Sequence, residues 1–174
     1  MDLKWYRRFA KLAKEVGSWS KDDSTKVGAV VIGPVNREIR TVGYNGFPRK
    51  FDDSIVEYKE RPLKYFYTEH AERNAIYNAT RIGVSLDDCW MFSTHFPCPD
   101  CTRGIIQSGI SRLVCGEDRS DAGISFVRRN YDSFIHSLEM MDGTGLIVVM
   151  ISENESKLIK PDKKYFENFN KIEP

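Results

Sequence analysis

The sequence predicts an α/β fold, a three-layer α/β/α sandwich around a five-stranded mixed sheet. Three observations carry that prediction. Trp5, Phe9, Leu12 and Val16 recur at helical spacing near the N-terminus. Two strand-like runs, Val27 to Ile32 and Glu38 to Tyr44, flank the turn Gly33-Pro34-Val35-Asn36 and so form an antiparallel hairpin. From residue 70 onward helical patterns alternate with short apolar runs, which makes the later strands parallel neighbours joined by crossovers.

Each element follows in order. Leu3 to Trp19 is an amphipathic helix that packs on the sheet. Ser18 to Ser24 is polar and loop-like. The hairpin's second strand ends in Gly43-Tyr44-Asn45-Gly46, residues that tolerate unusual backbone angles. Phe47 to Tyr67 has no clean period and reads as a long excursion, either a functional lid or a solvated loop. His70 to Ile82 is a helix with Ala71, Ala75, Ile76 and Ala79 as its buried stripe and Gly83 as its stop. Cys89 to Thr94 is a third strand, and Pro99 opens a helix that runs to about Ser108. Arg112 to Gly116 is the fourth strand, and Glu117 to Asn130 reads as a polar loop. Tyr131 to Met141 is a helix carried by Phe134, Ile135, Leu138 and Met141. Leu146 to Ile151, apolar throughout, is expected to be a central strand.

A chain of 174 residues is long enough for one domain with a real core, expected over residues 1–151. Residues 152–174 form a polar, lysine-rich tail in which Tyr165, Phe166 and Phe169 suggest one short packed helix. The 26 Lys+Arg balance 25 Asp+Glu, so the basic excess of a polynucleotide binder is missing and a small substrate is favoured. No apolar run approaches the ~20 residues of a membrane span. Met1 to Lys14 lacks the apolar core of a signal peptide, so a cytoplasmic, reduced setting is expected. There a C-x-x-C pair reads as metal binding rather than as a disulfide. Of the four cysteines only Cys98 and Cys101 have that spacing; Cys89 and Cys115 sit in apolar runs as buried thiols.

The chemistry concentrates in His70-Ala71-Glu72 and Pro97-Cys98-Pro99-Asp100-Cys101, each opening a predicted helix. One imidazole and two thiols leave the fourth position of a tetrahedral zinc open, which marks a catalytic site. Helix N-termini and the metal both favour ionised thiols. Glu72, two residues past the histidine, is placed to serve as general acid and base without ligating. H-x-E together with P-C-x-x-C is the signature of zinc-dependent nucleobase deaminases. The competing reading is a structural zinc site with a fourth ligand, for which His95 is the nearby candidate.

At these residues the sequence resembles the deoxycytidylate (dCMP) deaminases of the cytidine-deaminase-like superfamily. The resemblance runs from about Ser20 to Ile151. Besides the metal motifs it rests on Ser24-Thr25-Lys26-Val27-Gly28-Ala29-Val30, Gly43-Tyr44-Asn45-Gly46, His70-Ala71-Glu72-Arg73-Asn74-Ala75-Ile76 and Gln107-Ser108-Gly109-Ile110. It implies hydrolysis of dCMP to dUMP and ammonia, a homohexamer, and control by dCTP (activating) and dTTP (inhibiting) with Mg2+. It also implies a role for Gly43, Tyr44, Asn45 and Gly46 at the regulatory nucleotide, although an ordinary strand-end turn explains the same residues. Some family members carry extra Cys and His before the H-A-E motif for a second zinc. Phe47 to Thr68 here has neither, so one zinc per subunit is expected, with Tyr58, Tyr65, Phe66 and Tyr67 packing the loop instead.

Candidates for substrate binding are Lys26, Asn45, Ala71 and Arg119, with Arg128 and Arg129 near the same mouth. A related deaminase acting on dCTP, a polynucleotide or a riboflavin-pathway base remains an alternative, as does a zinc-stabilised binding module.

Overall fold

The computed structural model describes residues 1–152, 154 and 156–171; residues 153, 155 and 172–174 of the tail lie outside them. Helix α1 (Leu3–Ser18) is capped by Asp2, whose carboxylate accepts from Lys4 N–H at 3.2 Å. Strands β1 (Gly28–Ile32) and β2 (Ile39–Tyr44) form the antiparallel hairpin. A 3-10 turn (Val56–Lys59) and the one-turn helix α2 (Lys64–Tyr67) lie in the excursion that follows. Then come α3 (Ala71–Ile82), β3 (Trp90–Ser93), α4 (Pro99–Gln107) and β4 (Arg112–Gly116). The chain continues through α5 (Asp121–Arg129), α6 (Tyr131–Thr144), β5 (Ile147–Ile151), β6 (Leu158–Ile159) and α7 (Lys163–Asn170).

The strand order is β2-β1-β3-β4-β5-β6, with β3, β4 and β5 parallel and the remaining pairings antiparallel. Successive strand residues face opposite sides, and the core divides accordingly. Val30, Ile32, Phe92, Val114 and Ile151 meet Tyr6, Phe9, Ala13 and Val16 of α1. Ala29, Val31, Met91, Leu113, Cys115, Val148 and Met150 face the layer of α3, α4, α6 and α7. This is the three-layer sandwich that the periodicities predict.

Four details depart from the sequence reading. The sheet has six strands among the described residues, not five, because Leu158 and Ile159 pair with Ile151 and Met150. Two residues are too short a run to announce themselves by pattern. Strand β5 is therefore next to the edge rather than central; β3 and β4 hold the middle. The segment Glu117 to Asn130 is not a loop, since residues 121–129 are helical. Ser120 caps that helix by accepting from Gly123 N–H at 3.2 Å, and Asp121 opens it, a start signal visible in the sequence. Ile124, Phe126 and Val127 only partly bury, which weakened the apolar stripe.

The excursion is the fourth departure. Tyr58 and Tyr67 stack at 4.2 Å, and Phe51 packs on both at 5.6 and 5.3 Å. Tyr65 and Phe66 do not join them and are 65% and 80% exposed. In the single turn of α2, residues 64, 67 and 68 share the inner face, so 65 and 66 turn outward. Lys64 anchors that face: its Nζ lies 2.8 Å from Asp22 Oδ2 and 2.6 Å from Ser24 Oγ. The pair is nearly out of solvent, with side chains 9% and 12% exposed.

Within the tail, Tyr165, Phe166 and Phe169 are buried, and Phe166 packs on Phe96 at 4.9 Å and Phe134 at 5.7 Å. Among the described residues no helix is long and apolar enough to cross a membrane.

Candidate active site

Two helix starts face one another. His70 is the N-cap of α3 and Cys98 that of α4, with Pro99 at the first helical position and Cys101 one turn further in. Neither cap side chain bonds its own helix, because both turn toward a common centre. His70 Nδ1 lies 3.5 Å from Cys98 Sγ and 3.4 Å from Cys101 Sγ. All three atoms fall within 4.8 Å of one another. A tetrahedral zinc with ordinary Zn–N and Zn–S bonds needs nitrogen–sulfur separations of about 3.6 Å, so the donor set fits that ion.

Glu72 is 3% exposed, and its Oε2 accepts from the Cys101 thiol at 3.6 Å. Burial pushes its carboxyl above the ordinary carboxylate range. The hydrogen bond with Cys101, helped by His70, holds the Cys98 thiol down at about 4. The same bond and burial push Cys101 up, and contact with Cys98 raises His70.

Two residues that the motifs did not single out hold the site in place. Glu69 Oε1 accepts from His70 N–H at 2.9 Å and from Arg73 Nε at 2.6 Å, which ties the ligand's backbone to α3. Glu69 is itself bridged to Gly46 by paired backbone bonds of 3.0 and 2.8 Å. Their signal was the E-H-A-E-R spacing, an i,i+4 Glu–Arg pair across the helix start.

A cavity of about 580 Å³ opens beside the triad, and His70, Ala71, Glu72 and Cys98 line it together with Asn45, Arg61, Lys64, His95, Arg129 and Asn130. Of the expected substrate contacts, Ala71 and Asn45 are therefore in its wall. Asn45 is buried and heavily engaged: Oδ1 accepts from Val27 N–H at 2.8 Å and Nδ2 donates to the Thr25 carbonyl at 2.9 Å. Lys26 is exposed and outside the wall. Arg119 is also outside it, paired with Glu117 at 2.6 Å and stacked on the Phe169 ring at 4.2 Å. Arg128 donates to the Phe169 carbonyl, while Arg129 reaches the cavity. Helix α5 separates these neighbouring arginines onto different faces, which a loop reading could not do. His95, the alternative fourth ligand, is not in the cluster of metal-ligating groups among the described residues.

A second cavity of about 320 Å³ lies on the other side of Asn45 and Lys64, with Trp19, Tyr44, Gly46, Lys50 and Lys59 in its wall. Gly43 is not part of that wall. A Cβ there would stand 2.3 Å from Ala75 N and 2.4 Å from Ala71 O, so this glycine lets β2 lie directly against α3.

Residues 3–117 match the model of the cytidine and deoxycytidylate deaminase zinc-binding region. The chain belongs to the cytidine and deoxycytidylate deaminase family. Among its family relatives is an uncharacterized deaminase of the luxG 3' region of Aliivibrio fischeri, 43% identical over 87% of this chain and 96% of that one. The deoxycytidylate deaminase of Enterobacteria phage T4 is 46% identical, with 69% of this chain and 82% of the phage protein aligned. In structure, the deaminase-family fold here resembles the dCMP deaminase of cyanophage S-TIM5 in complex with dCMP and dUMP. That likeness has a TM-score of 0.67 and 24% identity, and covers 86% of this chain and 98% of the other. The family match ends at residue 117, so α5, α6, β5, β6 and α7, including Arg129 and Asn130, lie beyond it.

Proposed function

We propose that the protein hydrolyses dCMP to dUMP and ammonia in the supply of dTMP precursor. The observation that carries this reading is Glu72, a buried carboxylate against a three-ligand zinc site and open to a cavity. A zinc-stabilised binding module has no use for such a group. The relatives named deoxycytidylate deaminases support the substrate. So does the charge of the cavity wall, where Lys64 neutralises Asp22 while Arg61 and Arg129 suit a phosphate.

His70, Cys98 and Cys101 would hold one zinc per subunit, which would supply the Lewis acidity that lowers the pKa of a water to roughly 7. Glu72 removes a proton from the attacking water and passes it to the ring nitrogen beside C4, then takes the remaining proton of the new C4 hydroxyl and gives it to the departing amine. The C4–O bond forms as the double bond between C4 and that ring nitrogen opens; the exocyclic C4–N bond then breaks as the C4 carbonyl forms, and ammonia leaves. The raised affinity of Glu72 for protons suits both halves of that transfer.

The regulatory part of the proposal places dCTP, as activator, and dTTP, as inhibitor, with Mg2+ in the second cavity. Tyr44, Asn45 and Gly46 line it, Lys50 and Lys59 offer cations, and Trp19 and Phe51 offer faces for a base. Gly43 contributes by letting β2 seat on α3. The proposal extends to a cytoplasmic homohexamer. Ammonia release from dCMP, dCTP, CMP, cytidine and single-stranded DNA, each with and without dCTP and dTTP, tests it. Preference for another substrate overturns the dCMP reading, and rates indifferent to both effectors overturn the regulatory one.

A further inference from the structure

His95 stands at the end of β3 with one ring nitrogen committed and the other open. The neighbouring Thr94 is fixed by β1: Gly28 N–H donates to Thr94 Oγ1 at 3.2 Å, and Thr94 N–H donates to the Gly28 carbonyl at 3.0 Å. Thr94 Oγ1 then lies 3.0 Å from His95 Nδ1. A hydroxyl has one proton and two lone pairs, so with the Gly28 N–H on one lone pair its proton is available to Nδ1. When Thr94 donates to Nδ1, Nε2 carries the ring proton, and this is the tautomer that the proposal takes. Burial lowers the proton affinity of the imidazole, against the pull of Asp118, which keeps the ring neutral.

Among the described residues Nε2 has no hydrogen-bond partner, and it is not sealed in. The buried side-chain atoms without partners, among the described residues, are Thr102 Oγ1, Arg112 Nε and Ser137 Oγ. His95 lines the 580 Å³ cavity with His70 and Glu72; the other cavity it touches is about 30 Å³, too small for a ligand. Phe126 of α5 holds the ring edge-on at 5.0 Å. Arg129, three residues on and so on the same face of α5, also lines the cavity. Its guanidinium donates to Ser125 Oγ at 2.5 Å, and no carboxylate pairs with Arg129 or Arg61 among the described residues.

We propose that His95 donates its Nε2–H to a phosphoryl oxygen of the nucleotide in this cavity, with Arg129 as the adjacent cation, so that His95 determines specificity for nucleotide over nucleoside. The proposal rests on this cavity being the substrate site. Glutamine sets its amide nitrogen near the place of Nε2, whereas asparagine sets its amide near Nδ1, so the two variants separate the two ring contacts. Steady-state kinetics of wild type, His95→Gln and His95→Asn on dCMP and deoxycytidine give the test. His95→Asn is expected to raise KM for dCMP about tenfold or more. It should leave kcat within about twofold and cut the preference for dCMP over deoxycytidine by the same factor as the rise in KM. His95→Gln is expected to restore most of that preference. Equal losses on both substrates, or an unchanged KM for dCMP in His95→Asn, overturn the proposal.

A measurement on the unaltered protein guards against a misfolded variant. In 1H–15N NMR of the zinc-loaded enzyme the His95 Nε2–H signal is expected to shift on titration with dUMP and with inorganic phosphate, but not with deoxyuridine. An unmoved signal overturns the proposal. A wild type that does not deaminate dCMP overturns the substrate reading instead, and the phosphate titration then decides the role of His95 by itself.

Discussion

The Cys101 thiol donates to Glu72 Oε2 across 3.6 Å, so the carboxylate proposed for proton transfer touches a sulfur of the candidate metal cluster inside one buried space. That closeness separates two functions by substitution. Glu72→Gln keeps the shape and leaves the three ligands in place. Turnover is expected to fall roughly a thousandfold, with zinc content unchanged by metal analysis. A rate within tenfold of wild type would remove Glu72 from the proton transfer.

The ligand geometry sets the metal count. Purified protein is expected to hold about one zinc per chain. Cys98→Ser and Cys101→Ser should each lose most of it, and a chelator should abolish activity that added zinc restores. Two zinc ions per chain would reveal a second site and would direct attention to residues 47–68.

The Lys64–Asp22 pair ties α2 of the excursion to the segment before β1. Lys64→Met strands a nearly buried carboxylate and is expected to cost about 2–3 kcal/mol, less than a fully buried pair because Asp22 keeps some solvent contact. Burial alone would raise Asp22 above its ordinary value of 3.8, but hydrogen bonds from Lys64, Ser24 and Thr25 bring it below. A folded pKa below the unfolded one gives stability that is complete above the unfolded value and lost as pH falls through the folded one. The melting-temperature gap between wild type and Asp22→Asn should hold steady at neutral pH and close below about pH 4. A gap that widens in acid would contradict the assignment.

Two glycines of one short motif should respond differently. Gly43→Ala drives a methyl into the backbone of α3 and is expected to cost about 1–3 kcal/mol. It should also lower kcat, because the turn from Ala71 to Ala75 carries Glu72. Gly46 has nothing within 4 Å of an added Cβ, so Gly46→Ala should unfold like wild type. Chemical denaturation of both variants is the check, and equal losses would show that the β2–α3 contact is not the constraint.

The tail is part of the core. Phe166 is 1% exposed between Phe96 and Phe134, and Phe166→Ala is expected to cost about 3–4 kcal/mol. Since Phe96 lies two residues before Cys98, zinc should also dissociate faster from that variant, as a chromogenic chelator would report. Wild-type stability after deletion of residues 152–174 would refute the contribution of α7.

The sequence by itself determined the layer order and the clustering of His70, Cys98 and Cys101. Both are written in local signals: a helical or alternating period, a hairpin turn, and ligands that each open a helix, so that His70, Glu72, Cys98 and Cys101 could be read without coordinates. The remainder depended on contacts between distant segments. Nothing local tells Arg119, which folds onto Phe169, from Arg129, which reaches the cavity, until α5 and α7 are packed. Gly43 offered the flexibility of any strand-end glycine; only the position of α3 shows that its lack of a side chain is used for packing. His95 looked like a spare histidine beside a metal motif. Its Nδ1 meets the Thr94 hydroxyl, which Gly28, 67 residues before the histidine, holds in place. Periodicity and caps fix elements because they act over a few residues, whereas the direction of a side chain into a cavity is settled by the elements that close around it.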